Sequence, residues 1–358
     1  MLKIHTMMEG KILIIGGYGA VGSTIAENLT THYPGQIIVA GRSFTKAKKL
    51  CDKVKGNLIP YKLDSTQPID TELLKEIELV IMCIDQIDPF WVEYCLVNGI
   101  HYIDITADKD LIEKIENLKK KQLPYRSSAI LSVGLAPGIT NLLAQNIMNT
   151  QSETEEINIF ILLGMGEKHG DSAYKWTFDN LYKRYSIQYN GNTHLLRSFS
   201  SPKKTMLKGK RTFYLFDFSD QHTLLTTTKV KQIVTRMAFD SRFFTKVIYI
   251  LAKTGITRIF QFSKIQKLLI RSFKKVTIGS DVFGVKVTGT NKEYQMLSCS
   301  ITGNGEGKIT AHVATAMALL CLKDTFPKGI HHSHEVIKNI PAFLTELKKY
   351  DASLEIKL

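Results

Sequence analysis

Residues 11–29 read KILIIGGYGAVGSTIAENL. The apolar run Ile12 to Ile15 behind Lys11 has no polar face, as expected of a parallel strand buried on both sides. It runs straight into glycines, and beyond them Ile25, Ala26 and Leu29 recur at helical spacing. Gly17-x-Gly19-x-x-Gly22 therefore sits where a strand turns into a helix, the setting in which this spacing holds a dinucleotide. Gly17 permits the tight turn, Gly19 leaves room for a pyrophosphate against the backbone, and Gly22 lets helix and strand pack closely. Tyr18, Ala20 and Val21 complete the turn, and the free N–H groups of the helix start face the phosphates. A glycine-rich loop without a ligand is the alternative.

The next strand, in GQIIVAGRSFTKAKKL, selects the dinucleotide. A carboxylate at its end would accept hydrogen bonds from a ribose 2′-hydroxyl. Ala40, Gly41, Arg42 and Ser43 stand there instead, and Arg42 is 20 residues beyond Gly22. A guanidinium gains much from a 2′-phosphate and little from a bare hydroxyl. The expected cofactor is NADP(H), with Arg42 and Ser43 at its 2′-phosphate.

The strands NLIPYKLD, ELVIMCID, HYIDITAD and SAILSVGLAPG follow, separated by the helical stretches TELLKEI, PFWVEYCLVNG and DLIEKIENLKKKQ. This alternation predicts an α/β fold whose first domain, residues 1–150, is a doubly wound parallel sheet of Rossmann type. Ligand residues in such sheets lie at strand ends. The candidates are Asp64, placed to meet the adenine amino group, with Cys83, Asp85 and Thr106 as further cofactor contacts. Asp104 and the Gly134–Gly138 turn occupy similar positions. For each acid, helix capping or turn formation is the competing role.

The whole chain sets the outer limits. At 358 residues it is long for one core, and 44% hydrophobic and 22% charged residues are ordinary for a globular protein. The five cysteines are scattered with no CxxC pair, which suggests no zinc site or disulfide framework and fits a reducing cytoplasm. The N-terminal MLKIHTMMEG has no apolar signal core, and no apolar run is long enough to span a membrane. The net charge of +14 calls for an anionic cofactor, nucleic acid or an anionic membrane.

The stretches GGYGAVG, AGRSFTKAKKL, YIDITAD and SVGLAPGITNLLA resemble the saccharopine dehydrogenase family. GEKHGDSAYKWTFDNL, FDFSDQHTL and TRMAFDSRFF resemble unassigned bacterial members of about this length, and TAHVATAMALLCL with GIHHSHEVI resembles the family's returning C-terminal segment. The resemblance implies a Rossmann domain, a second mixed α/β domain over 151–308, and C-terminal helices over 309–358 that return to the first domain. It also implies a homodimer through the second domain's sheet. The reactions it implies centre on secondary amines, with a nicotinamide cofactor reducing an imine or oxidising the amine back.

The second domain reads as strands of an antiparallel or mixed sheet. EEINIFILLG alternates, HGDSAYKWTFDNLYKRY has helical spacing with Trp176, Leu181 and Tyr185 on one side, and SDVFGVKVTGTNKEYQMLSCSITGNG reads as a hairpin turning near Gly289 to Lys292. Reduction of an imine needs one hydride and one proton. His169, between glycines and beside Asp171, is a candidate proton carrier, as are Asp220 and His222 in DFSDQHTL. Asp171, Trp176, Gln221, Arg236 and Arg242 are candidate substrate residues, the arginines for an anionic group. Each has a plainer role as turn, cap or surface residue. His331, His332 and His334 lack a carboxylate or cysteine at metal spacing beyond Glu335 and read as a loop, with no metal expected.

Residues 242–276 carry nine Lys or Arg and no acid. Lys264, Lys267, Arg271, Lys274 and Lys275 share one helical face, and Ile265, Leu268, Leu269 and Phe273 the other. Such a stretch can lie on an anionic membrane, pack on its own domain, or cover a substrate pocket. No zinc-finger, helix-turn-helix or RNP-like pattern appears, so nucleic acid is not expected. The sequence thus points to a cytoplasmic NADP-dependent oxidoreductase of a small amine-containing metabolite, with peripheral membrane contact left open. The alternatives are a membrane-surface reductase of a lipid-like or polyketide C=C or C=O bond, and an NADP(H)-binding sensor or scaffold without turnover.

Overall fold

The computed structural model describes residues 10–167, 170–189, 192–275 and 279–358. Its strands in chain order are β1 (Lys11–Ile15), β2 (Ile37–Gly41), β3 (Ile59–Lys62), β4 (Ile77–Met82), β5 (His101–Asp104) and β6 (Ser128–Leu131), then β7 (Thr154–Leu163), β8 (Arg184–Tyr189), β9 (Asn192–Arg197), β10 (Lys203–Met206) and β11 (Lys210–Leu215). There follow β12 (Gln232–Phe239), β13 (Val282–Asn291), β14 (Met296–Asn304), β15 (Gly329–His332) and β16 (Glu355–Lys357). The chain divides into two compact units, Met1–Gly134 with Thr310–Val336, and Leu135–Ile309 with Ile337–Leu358.

The first unit is built on a seven-stranded sheet in the order β15-β6-β5-β4-β1-β2-β3, every pair parallel. Successive residues Ile12 to Ile15 and Leu79 to Met82 are all fully buried, so both faces of the sheet are covered. One face holds a core of Leu13, Ile15, Val80 and Met82 packed with Trp91, Leu96, Leu111 and Ile115. The helix Phe90–Asn98 ends at Gly99, whose φ of +79° lets the chain reverse into β5. Asp108 caps the helix Lys109–Asn117 by accepting from the Asp110 and Leu111 N–H groups. The last strand corrects the sequence reading. GIHH is not a loop but β15, seated beside β6 with Ile330 in the core.

The second unit holds a mixed seven-stranded sheet, β10-β11-β12-β7-β13-β14-β16, in which only β12 and β7 are parallel, and a separate hairpin β8-β9. The long hairpin β13-β14 follows the alternation of SDVFGVKVTG, with Phe283, Val285 and Val287 fully buried, and turns slightly later than expected, after Asn291. The helix over DSAYKWTFDNLY stops at Tyr182, short of Tyr185. Lys183 is already extended, and RYSIQY follows the strand period, so Tyr185 lies on β8 rather than on the helix.

The expected boundary at residue 150 coincides with the end of the helix Thr140–Thr150, whereas the units change over at Gly134. No Pro- or Ser-rich linker marks the change in the sequence. The expected C-terminal segment 309–358 also divides, because Ile337–Leu358 lies with the second unit, where β16 pairs with β14.

Candidate functional site

In the first unit the order β3-β2-β1-β4-β5-β6 reverses direction between β1 and β4, the switch point where open α/β sheets bind nucleotides. The glycine turn leaves β1 at that point. The left-handed residue is Gly16 (φ +82°), one position before the Gly17 that sequence reasoning gave the tight turn. A Cβ on Gly17 would fall 2.8 Å from the Ile14 carbonyl oxygen, and one on Gly22 would fall 2.5 Å from the Gly16 carbonyl oxygen. Both glycines are thus required by close backbone packing. Gly19 is different, since a Cβ there would meet only the Gly16 oxygen, at 3.1 Å, and its other side is open. Gly19 also begins the helix Ala20–Thr30 without any side-chain cap. The first-turn N–H groups of Ala20, Val21 and Gly22 have no intrahelical acceptors and suit an anionic ligand.

Tyr18 folds over Gly41 at the end of β2, where a Cβ would lie 2.5 Å from its ring, and its hydroxyl accepts from the Ser43 N–H at 3.1 Å. It holds the turn against β2. The Ser43 hydroxyl caps the helix Phe44–Lys53 by accepting from the Lys46 N–H. Arg42 between them is exposed and takes part in no ion pair among the described residues. Asp64 is held below the usual carboxylate range by the Thr66 hydroxyl and N–H, with a smaller contribution from Arg42. Its Oδ1 accepts from both Thr66 groups, at 2.8 and 3.1 Å, so it forms the turn after β3. Cys83 follows β4, its thiol pushed up by burial, and Asp85 is exposed nearby.

Asp104 at the end of β5 is one of the strand-end acids that sequence reasoning weighed between a ligand role and a cap or turn. It is buried, and its carboxyl accepts from the Tyr102 hydroxyl (2.7 Å), the Gln86 amide (2.9 Å) and the Thr106 N–H (2.8 Å). Burial pushes its pKa up to about 6, helped by Asp85 and opposed by those hydrogen bonds. The signal was present as an acid closing a buried strand in YIDITAD. Thr106 is buried too, and its hydroxyl accepts from the Asp108 N–H.

The second unit brings several candidates together around Phe216-Asp217-Phe218. His222, in the first turns of the helix Ser219–Thr227, lies with Nε2 2.5 Å from Asp217 Oδ1, and both side chains are largely buried. Gln221 donates to the Phe216 carbonyl and to Asp217, and accepts from the Thr235 N–H. Trp176 stands over Phe218 and Phe216, with ring centroids at 5.3 and 5.7 Å. The ring of Tyr185 meets His222 edge-on, and burial and the Asp217 carboxylate push its hydroxyl pKa up. Asn141 ties the Leu135–Ile139 turn to the same helix, accepting from the Gly138 N–H and donating to the Thr223 hydroxyl.

Three expected residues are placed otherwise. Asp220 is fully buried, and its carboxylate accepts from the Thr235 hydroxyl and the Gln221 N–H, both at 2.7 Å. It anchors the helix to β12 and is sealed from solvent, which pushes its pKa up. Arg236 donates to Asn158 Oδ1 at 2.8 Å and toward the Ser201 carbonyl, so its guanidinium is already committed. Arg242 lines a separate basic cavity with Arg211 and Lys246. His169 lies outside the described residues. Asp171 is the first residue of the helix Asp171–Tyr182, and its side chain is likewise outside the described part.

The histidines near the C-terminus are structural. His332 is sealed, with Nδ1 2.8 Å from the Ser132 hydroxyl and Nε2 2.8 Å from Glu116 Oε1. His334 is pushed down to about 3, by burial first and then by His332 and Lys119. Among the described residues no group of His, Cys, Asp and Glu could hold a metal ion.

A parallel sheet in this order, with an uncapped glycine turn at its switch point, is the architecture of a nicotinamide-dinucleotide-binding domain. Residues 12–132 match the saccharopine dehydrogenase NADP binding domain. The fold is similar to that of apo saccharopine dehydrogenase (L-Glu forming) from Saccharomyces cerevisiae, with a TM-score of 0.64 and 12% identity over 98% of this chain and 100% of that one. A meso-dapdh mutant with DAP from Clostridium tetani E88 aligns over 95% of this chain and 98% of its own, with a TM-score of 0.44 and 13% identity.

Proposed function

We propose that this protein is an NADP(H)-dependent oxidoreductase acting at a C=N or C–N bond of an amine-containing metabolite. The observation that carries the cofactor half is the open side of Gly19 beside an unpaired Arg42. The uncapped N–H groups of Ala20, Val21 and Gly22 would hold the pyrophosphate, and Arg42 the 2′-phosphate. When bound, the nicotinamide supplies or accepts the hydride.

The chain's own part in such a reaction is a proton and an orientation. His222 is the proton carrier we assign among the described candidates, because Asp217 fixes its ring. Gln221 holds Asp217 in turn, and Trp176 with Phe218 forms an apolar wall beside the pair. A secondary amine fits this pairing, since the reduced nitrogen must gain one proton as the carbon gains hydride.

The test is NADPH oxidation with a panel of amine and 2-oxo acid pairs, run on the wild type, His222→Ala and Asp217→Asn. The expectation is turnover that falls roughly 10²–10⁴-fold in His222→Ala with NADPH affinity unchanged. Full activity in that variant would remove His222 from the scheme. NADPH oxidation confined to carbonyl or alkene substrates without an amine would remove the C=N assignment.

A further inference from the structure

The acid-free stretch of the second unit has a partner-shaped outer face. No Asp or Glu occurs between Asp240 and Asp281, while nine Lys or Arg fall within 242–275. The stretch forms two helices, Arg242–Thr254 and Ser263–Lys275, joined by a 3-10 segment Ile256–Gln261. Their inner sides are accounted for. Thr245, Ile248 and Ala252 are buried, Phe260 packs on Phe178 at 5.2 Å, and Gln266 donates to Asp179 at 2.7 Å.

The outer side is unusual because it is not purely polar. Six of the sixteen large apolar side chains exposed among the described residues fall between 243 and 268. Phe243 is 80% exposed, Leu268 64% and Phe262 55%. In the first helix Phe243 and Ile250 lie seven residues apart, on the flank of the face that carries Arg242, Lys246 and Lys253. In the second, Leu268 lies beside Lys264, Lys267 and Arg271, all exposed. The sequence expectation set Leu268 on the apolar face with Ile265, Leu269 and Phe273, and left open whether that face packs on its own domain. The side that packs on the domain is that of Gln266 and Ile270, both buried.

The first helix also walls a cavity of about 480 Å³ lined by Lys204, Lys210, Arg211, Arg242 and Lys246, with no acid in its lining. Tyr214 and Tyr249 stack at 4.7 Å along it. The one acid near these cations among the described residues is Asp240, whose carboxylate accepts from the N–H groups of Met165, Ser241 and Ser280 and from the Ser280 hydroxyl; it offsets part of the repulsion between Arg211 and Arg242, and Arg211 donates to its backbone carbonyl. None of the five cations has an ion-pair partner among the described residues; the neighbouring Lys203 approaches Glu156 at 3.9 Å.

We infer that this face docks on an anionic phospholipid bilayer, with a headgroup phosphate in the Arg211–Arg242 cavity and Phe243, Ile250 and Leu268 entering the acyl boundary. Cations and exposed apolar side chains side by side are what an interfacial helix requires, since either signal alone binds only weakly. A nucleic acid would use the cations and leave the aliphatic side chains in water. A second copy in symmetric contact would set the basic face against itself. This inference does not depend on the reaction proposed above.

The test is co-sedimentation of the full chain with phosphatidylcholine vesicles, with and without phosphatidylglycerol. The comparison variants are Phe243→Ser with Leu268→Ser, and Arg242→Gln with Lys246→Gln, each checked for native unfolding temperature. The expectation is binding that requires phosphatidylglycerol, weakens with added salt, and falls at least about tenfold in each double variant. Equal sedimentation with both vesicle types, none with either, or unchanged binding in the two variants would overturn it. Loss of inorganic phosphate or duplex DNA binding in Arg242→Gln with Lys246→Gln, with vesicle binding intact, would also overturn it.

Discussion

Asp104→Asn gives the sharpest test of the electrostatics at the sheet's C-terminal edge. The carboxyl titrates near 6 in the fold against 3.8 for an unperturbed aspartate. Between those values the folded state holds a proton that the unfolded chain has released. Stability from this residue is therefore fully present below about pH 4 and is lost as the pH rises through about 6. A shift of about two pKa units corresponds to about 3 kcal/mol, with a slope of at most about 1.4 kcal/mol per pH unit. The site can accept an amide. Gln86 Oε1 is buried without a partner, so a flipped Gln86 could accept from the introduced amide N–H just as it could from the protonated acid. Chemical unfolding of both proteins should be followed from about pH 4 to about pH 8, and the wild-type advantage over Asp104→Asn should shrink by about 3 kcal/mol across that window. The comparison matters because His334 acts in the opposite sense. It is pushed down to about 3, so the fold resists its protonation and stability falls as the pH drops below the usual histidine range. That contribution is common to both proteins and cancels in the difference. A difference that stays flat between pH 4 and 7 would refute the reasoning.

Two further outcomes follow from packing. Gly22→Ala puts a methyl 2.5 Å from the Gly16 carbonyl oxygen and 2.8 Å from the Gly17 Cα, both backbone atoms, so it should lose about 2 kcal/mol or more and abolish dinucleotide binding. Thermal unfolding and NADPH titration would check it. His332→Ala leaves Ser132 and Glu116 without their shared partner in a sealed site and should cost about 2–4 kcal/mol with no change in NADPH affinity, measured by the same pair of assays.

Much of the first unit could be read from the sequence because buried parallel strands are continuous apolar runs, as Ile12 to Ile15 and Leu79 to Met82 show. The glycine turn was legible for the same reason, since backbone packing at Gly17 and Gly22 admits no side chain. What escaped depends on contacts between distant residues. GIHH is too short to declare itself a strand, and it becomes one because β6 offers an open edge. Arg236 and Asp220 looked like site residues because their types are reactive, but Asn158 and Thr235 engage them. Nothing local signalled those partners. The pairing of Asp217 with His222 was half visible, because five residues separate them and only the break between β11 and the helix Ser219–Thr227 turns them toward each other.

The most direct test of the cofactor assignment is a fluorescence titration of wild type and Arg42→Ala with NADPH and with NADH. The exposed, unpaired guanidinium at the end of β2 predicts that the wild type favours NADPH. Arg42→Ala should weaken NADPH by about 10–100-fold, the worth of roughly 1.5–3 kcal/mol of charge-assisted hydrogen bonding, and leave NADH nearly unchanged. NADPH affinity retained in Arg42→Ala, or a wild type that binds neither dinucleotide, would contradict the account.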